Sequence, residues 1–490
     1  MLSRYFRFWI SVLLLGMVWS CKPEEPAPTP TPTPNPPPDT FDINDITDTY
    51  PNLVDFQFYR QWGPYNVHDP SILDDGEYFY CYSTDASFGN TSERFGLQIR
   101  RSKDLIEWQF VGWAWNGLPP QGANYIRGQG TEPFQSLWAP YILKVGSEYR
   151  LYYSLSSEVH KLSAIGLLTA TSPEGPWTER GLAVTSRTSL PMTNAIDPSV
   201  LTAPDGRQWM YYGSAYDGIY VVELDPATGL AKTQNDKGHR IAQRGFTGGR
   251  INGNIEGPEI IYHPEQQKYY LFIAYDWLET KYNVRVGRAD SPEGPFLDFN
   301  GVDLNGEEDN GPMILAPYQF EGHPGWQGVS HCAVWHRDGQ YYLAHQGRPV
   351  ENAFYMVLHV RKVFWTEDGW PVVSPERYAG VAQTAIETSE LAGNWEQIAF
   401  GYRVVPGYAE EQTSPDLQTA VTLTLEAGGT INGETGSAWT YEAPWLTLTT
   451  SAGTTKVYVA RGRDWENQRE TLVFSGLEAD GTARWGKQKP

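Results

Sequence analysis

One short pattern of polar and apolar positions recurs five times along the chain: a polar residue beside Pro, a hydrophobic run, a Gly turn, then a Tyr-rich strand. His68-Asp69-Pro70-Ser71-Ile72 leads to Gly76 and Tyr78-Phe79-Tyr80, and Trp138-Ala139-Pro140-Tyr141-Ile142 leads to Gly146 and Tyr149 to Tyr153. Ile196-Asp197-Pro198-Ser199-Val200 leads to Gly206 and Trp209 to Tyr212. Glu256-Gly257-Pro258-Glu259-Ile260 leads to Tyr269-Tyr270-Leu271-Phe272. The fifth copy, Ser330-His331-Cys332-Ala333-Val334, lacks the Pro and leads to Gly339 and Tyr341-Tyr342-Leu343. From Pro70 to Pro140, Pro198, Pro258 and Cys332 the steps are 70, 58, 60 and 74 residues. Each step holds about four strands of five or six residues with their turns, which is one propeller blade. A second echo, Ser172-Pro173-Glu174-Gly175-Pro176-Trp177 and Ser291-Pro292-Glu293-Gly294-Pro295-Phe296, reads as a turn between outer strands. The pattern predicts an all-β fold with a five-bladed β-propeller over residues 46–384, the first strand of every blade opening on one axis.

Past residue 385 the repeat stops and strands alternate: Val421 to Leu425, Trp445 to Thr450, Lys456 to Ala460, Thr471 to Phe474. Residues 385–490 are expected to form a smaller β-barrel-like or sandwich domain. No titratable cluster is legible there, so it reads as a support or a glycan-binding module.

The chain's start has a different character. Arg4 and Arg7 precede an apolar run from Phe8 to Trp19, too short for a membrane span, and Ser20-Cys21 resembles a bacterial lipobox. Residues 1–20 are therefore expected to be a signal peptide and Cys21 the lipidated N-terminus. Residues 21–45 are mostly a Pro- and Thr-rich linker, extended and stiff, that lifts the rest off a membrane. Glu24-Glu25 resembles a surface-export signal, which places the protein in a bacterial cell envelope, lipid-anchored, at the outer-membrane surface. No other run reaches spanning length, so a membrane is expected as partner only through the N-terminal lipid anchor.

Composition narrows the chemistry. The 490 residues include 19 Trp, 30 Tyr, 48 Gly and 36 Pro, which suits many short strands. A net charge of −21 repels phosphate backbones, so nucleic acid is excluded as a partner and a neutral glycan is not. A monomer is expected. Apart from Cys21, only Cys81 and Cys332 remain, free or paired, so no disulfide framework holds the fold.

If the repeats superpose, Asp69, Ala139, Asp197, Glu256 and His331 ring one funnel. Three converging carboxylates are costly to hold together, which points to acid/base chemistry. Glycosidic cleavage needs one protonated carboxyl for the leaving oxygen and one ionised carboxylate for the nucleophile. Glu256 reaches furthest and reads as the general acid, Asp69 as the base that activates water, and Asp197 as the group that tunes Glu256. Asp69 and Glu256 come from the first and fourth repeats, far enough apart to admit a water, and inversion is expected.

These motifs, His68-Asp69-Pro70, Trp138-Ala139-Pro140, Asn194-Ala195-Ile196-Asp197-Pro198 and Glu256-Gly257-Pro258, resemble in order and spacing those of glycoside hydrolase family 43 over roughly residues 60 to 380. The stretch Val360 to Tyr378 resembles the propeller end of that family's endo-1,5-α-L-arabinanases, and those with an added C-terminal β-barrel are the nearest match. The resemblance implies the same three roles, an endo-acting attack on α-1,5-linked L-arabinan, a plant cell-wall polysaccharide, and a calcium ion in the channel facing His331. His68, Trp138, Asn194, Ser214 and Arg348 are candidate sugar contacts. Tyr141 and Ala215-Tyr216 stand where the family often has Asp and Phe-Trp. An exo-acting α-L-arabinofuranosidase or β-xylosidase would share the three carboxylates; a non-catalytic glycan-binding protein would not need them.

Overall fold

Tyrosines on the second strand of the first four repeats tie one sheet to the next. In the computed structural model, which describes residues 41–88, 96–308, 311–401 and 406–490, four antiparallel four-stranded sheets follow one another. They begin with the strands Ser71–Asp74, Trp138–Val145, Ser199–Thr202 and Ile255–His263. Tyr152 donates to the Gly229 carbonyl at 2.7 Å and Tyr211 to that of Pro292 at 2.6 Å; Tyr82 reaches Pro173 and Tyr270 reaches Gly369 in the same way. Each ring lies buried between sheets while its hydroxyl finds a carbonyl at the next sheet's outer turn, so an aromatic body fills the core without stranding a polar atom. The echo at Ser172 and Ser291 lies at two of these turns, between third and fourth strands.

The next four strands, Cys332–Arg337, Gln340–Pro349, Val357–Trp365 and Pro371–Val373, pair in the same order. They belong to a larger, seven-stranded sheet that also takes in Trp326–Gln327, Tyr318–Gln319 and Gln418–Thr419. The first strands of successive sheets touch in ring order, and Cys332–Arg337 touches Ser71–Asp74. The first and last parts of the ring meet at that seam, where Leu358 N–H donates to the Pro64 carbonyl at 2.8 Å. The fold is thus all-β, with four propeller-like sheets and a fifth, more elaborate one. A single α-helix, Pro120–Arg127, occurs among the described residues.

The C-terminal strands form one seven-stranded antiparallel sheet curled around Trp395, Leu425, Trp439, Leu446 and Phe474. One sheet wraps its own core, which is closer to a barrel than to a two-sheet sandwich. It packs on the propeller-like part through Trp485, which meets both Tyr318 and Phe400, and through Tyr458 stacked on Phe364 at 4.4 Å. Contrary to the expectation of no titratable cluster here, Lys487 is fully buried with Glu376 and Asp464, each 3.1 Å from its Nζ, and Glu466 beside them. Five residues from four separate stretches of chain build it, counting Glu396 at 4.0 Å, so no local pattern announces it. Residues 1–20, Cys21 and the linker up to residue 40 lie outside the described residues; Asp42–Pro490 form one compact unit. Cys81 and Cys332 are both buried and free.

Candidate active site

Backbone geometry at the prolines explains why the carboxylates converge. Asp69, Ala139, Asp197 and Gly257, each just before a Pro, have left-handed φ values of 51°, 32°, 58° and 57°. Such a conformation costs about 1–3 kcal/mol in a non-glycine residue, and Asp tolerates it better than most. The turn aims each N–H sideways at the preceding sheet. Asp69 N–H donates to Gln346 Oε1 at 3.1 Å, Ala139 N–H to Thr84 Oγ1 at 2.7 Å, Asp197 N–H to Ser154 Oγ at 3.1 Å, and Gly257 N–H to Asp197 Oδ2 at 3.2 Å. Gly257 therefore holds the seat equivalent to Asp69 and Asp197, and Glu256 stands one residue earlier, level with His68. A Cβ on Gly257 would lie 2.7 Å from His331 Nδ1, so glycine here makes room for that ring.

Asp69 is buried, and Thr84 Oγ1 donates to its Oδ2 at 2.6 Å. Burial alone would raise its pKa, but His68, His331, the Thr84 hydroxyl and Arg348 outweigh it, and the net shift is downward. Both rings are themselves kept neutral by burial, His68 down to about 4. The permanent charge of Arg348 and the Thr84 O–H both favour the ionised carboxylate, the state a base needs. Asp197 has the opposite environment. Burial, then the charges of Glu256 and Asp69, lift its pKa well above the ordinary range against the single Gly257 N–H. Glu256 is held at both oxygens: Ser214 Oγ donates to Oε2 at 2.7 Å and the Tyr282 hydroxyl to Oε1 at 2.7 Å.

Of the candidate sugar contacts, three lie at the carboxylates. Ser214 holds Glu256, His68 Nε2 is 3.6 Å from Asp69 Oδ2, and Arg348 NH2 is 3.4 Å from His68 Nδ1. Trp138 and Asn194 turn their hydrogen bonds elsewhere, to Ser136 and Ser186, and Trp138 stacks on Phe134 at 5.3 Å. Sequence reasoning missed Tyr282, Thr84, Gln346 and Ser154. They lie on or beside second and third strands with no motif around them, and Tyr282 is one of 30 tyrosines.

His331 Nδ1 is 3.6 Å from Asp69 Oδ1, and its neutral ring has the lone pair a cation needs. A hard cation prefers six to eight oxygens, so with one imidazole and at most one carboxylate from the protein, water would complete the shell. Among the described residues, the one group of three or more potential ligands is Glu376, Asp464 and Glu466, with which Lys487 already pairs.

Converging carboxyls of opposite protonation tendency, on the mouths of inner strands around one axis, are what a glycosidase requires. Residues 63–371 match glycosyl hydrolases family 43. The chain belongs to this family. Residues 375–486 match the C-terminal lipocalin-like domain that accompanies it. Glycoside hydrolase activity thus belongs to a chain whose relatives include the extracellular endo-α-(1→5)-L-arabinanase 2 of Bacillus subtilis. That protein is 27% identical over 463 residues, covering 86% of this chain and 93% of the relative. An extracellular exo-α-(1→5)-L-arabinofuranosidase of Cellvibrio japonicus is 28% identical over 324 residues, covering 63% of this chain and 86% of that one. Among solved structures, the endo-1,5-α-L-arabinanase of Thermotoga petrophila superposes with a TM-score of 0.73 at 25% identity, covering 87% of this chain and 99% of that one.

Proposed function

We propose that this glycoside hydrolase cuts α-1,5-linked L-arabinan internally and with inversion, at a bacterial cell surface. The observation that carries the reading is the contrast between an ionised Asp69 and a carboxyl pair, Asp197 and Glu256, in which Asp197 keeps a proton well above the usual carboxylate range. Asp69 takes a proton from water as the water attacks the anomeric carbon. Glu256 gives a proton to the departing glycosidic oxygen. With Oε1 occupied by the Tyr282 O–H, the acidic proton sits on Oε2, where the Ser214 hydroxyl can rotate to accept it until the sugar oxygen arrives. Asp197, bonded to the backbone beside Glu256, keeps a proton at the acid site between turnovers. Endo action is favoured because the Bacillus and Thermotoga endo-enzymes align along both parts of the chain.

The fifth sheet is read as a fifth blade, since its four sequential strands pair like the others and its first strand touches both neighbours in the ring. The organisation inferred is a signal peptide (1–20), a lipidated Cys21 with its linker (21–45), a five-bladed catalytic propeller (46–384) and a C-terminal β domain (385–490), working as a monomer tethered to the outer membrane.

Linear debranched arabinan should give a ladder of short oligosaccharides from the first minutes, and proton NMR of the new reducing ends should show the β anomer first. Arabinose as the sole early product would shift the assignment to exo action, and an α anomer would remove inversion.

Calcium is proposed at His331, where it would add positive charge beneath the carboxylates. Excess chelator is then expected to lower the melting temperature, because an ion bound only to the folded state stabilises it in proportion to occupancy. Unchanged melting and turnover would eliminate the ion.

A further inference from the structure

The C-terminal domain has so far had no part in the chemistry, yet one of its segments reaches the loop that holds the acid. Residues 406–419, between two strands of the curled sheet, pack against the 244–252 and 276–281 segments. Pro406 bridges Asn252, Gly407 N–H donates to the Ile251 carbonyl at 3.0 Å, and the far end runs parallel to Tyr318–Gln319. At its centre Gln412 is fully buried. Its Oε1 accepts the Trp277 N–H at 2.6 Å, its Nε2 donates to Asp276 Oδ1 at 3.0 Å, and its carbonyl takes the Thr280 hydroxyl. Lys281 pairs with Asp416 just beyond.

Two short paths lead from this amide to Glu256. Through Trp277, whose carbonyl accepts the Tyr282 N–H at 3.0 Å, it fixes the residue whose hydroxyl holds Glu256 Oε1. Through Asp276, whose N–H donates to the Asn254 carbonyl at 2.9 Å, it fixes the strand end two residues before Glu256. Between the paths lies Gly253, where a Cβ would strike both Asp276 Oδ1 and Gln412 Nε2, so the three parts are packed without slack. A buried amide with both ends satisfied by one loop costs free energy to move, because any displacement strands polar atoms.

We infer that the 406–419 segment is a strap by which the C-terminal domain sets the catalytic acid, with Gln412 as a positioning residue acting through Asp276, Trp277 and Tyr282 on Glu256. The inference rests on the arabinan-cleaving role proposed for Glu256. It accounts for a second domain that carries no catalytic carboxylate of its own, and it predicts a defect in proton delivery rather than in sugar binding.

The test compares two substrates of the full-length protein. Linear arabinan needs a proton on its leaving oxygen; a nitrophenyl α-1,5-arabinobioside releases a phenolate that needs none. Gln412→Ala should lower kcat on arabinan about tenfold or more, with KM held within about twofold, and leave the nitrophenyl substrate within about twofold of the parent. Tyr282→Phe, which deletes one oxygen, should likewise lower kcat on arabinan, and both should move the alkaline limb of the arabinan profile. Where Gln412→Ala melts early, Gln412→Met, which keeps the length of the side chain and adds no charge beside Asp276, carries the same readout. A parallel fall on both substrates would mean that the strap only holds the fold, and no fall on either would mean that it holds nothing the acid needs; each overturns the inference. A parent inactive on both substrates would remove the arabinanase reading and this inference with it, a result distinct from any variant's.

Discussion

Replacing Asp69 by Asn is expected to lower kcat on arabinan by about 10³-fold while KM changes little, since a general base contributes on the order of 10²–10⁴ and touches the attacking water rather than the sugar. The amide keeps the shape of the side chain, and the bonds from Thr84 and to Gln346 remain available, so melting should hold near the parent's. Asp69→Gly removes the side chain at a left-handed position that glycine accepts without cost. Azide, a nucleophile that needs no base, should then restore part of the turnover and leave a β-linked arabinosyl azide. Activity of Asp69→Asn within tenfold of the parent would exclude Asp69 as the base.

Asp197→Asn is expected to separate stability from activity. The folded-state pKa of Asp197 lies well above its unfolded value of about 3.9, so the folded protein binds the extra proton. Its contribution is most favourable below that unfolded value and is lost as pH rises through the folded pKa, because ionisation is then opposed by burial and by the Glu256 and Asp69 charges. An amide removes the charge, keeps an oxygen for the Gly257 N–H, and offers donors to the two neighbouring carboxylates. Melting at pH 8 should therefore rise in Asp197→Asn, and the gain should shrink toward pH 4. Turnover should fall about 10²-fold, with the alkaline limb moved, since that limb belongs to the Asp197–Glu256 pair and the amide removes one of its two ionisable groups. A lower melting temperature at pH 8, or an unmoved limb, would contradict this account.

The sequence carried the repeat and the carboxylates because both are local. An Asp-Pro or Gly-Pro step at the mouth of an inner strand is a one-residue signal, and the Tyr-rich strand after it is a period-two signal; both survive without knowledge of the fold. Counting from the prolines nevertheless placed Glu256 level with Asp69 and Asp197, whereas the backbone puts Gly257 there. The glycine could have told: a residue under His331 needs no side chain, and the carboxyl moved one position outward. What holds the carboxylates was not legible. Thr84, Ser154, Gln346 and Tyr282 act on residues distant in the chain through tertiary contact, and the Lys487 cluster draws on positions from 376 to 487. The seven-stranded fifth sheet was hidden for a similar reason, since two of its added strands, Tyr318–Gln319 and Trp326–Gln327, are two residues each and show no period.

The seam where the first and last inner strands touch has a kinetic consequence. Asp69 gets its N–H acceptor from Gln346 and its neighbour His331 from the far end of the propeller, so the base exists as a working group only after the most distant segments have found each other. Long-range pairing of this kind comes late in folding, since the loop entropy is lost before the contacts return it. Hydrolytic competence is therefore acquired late in assembly, and a chain that has not yet closed the ring has no active centre.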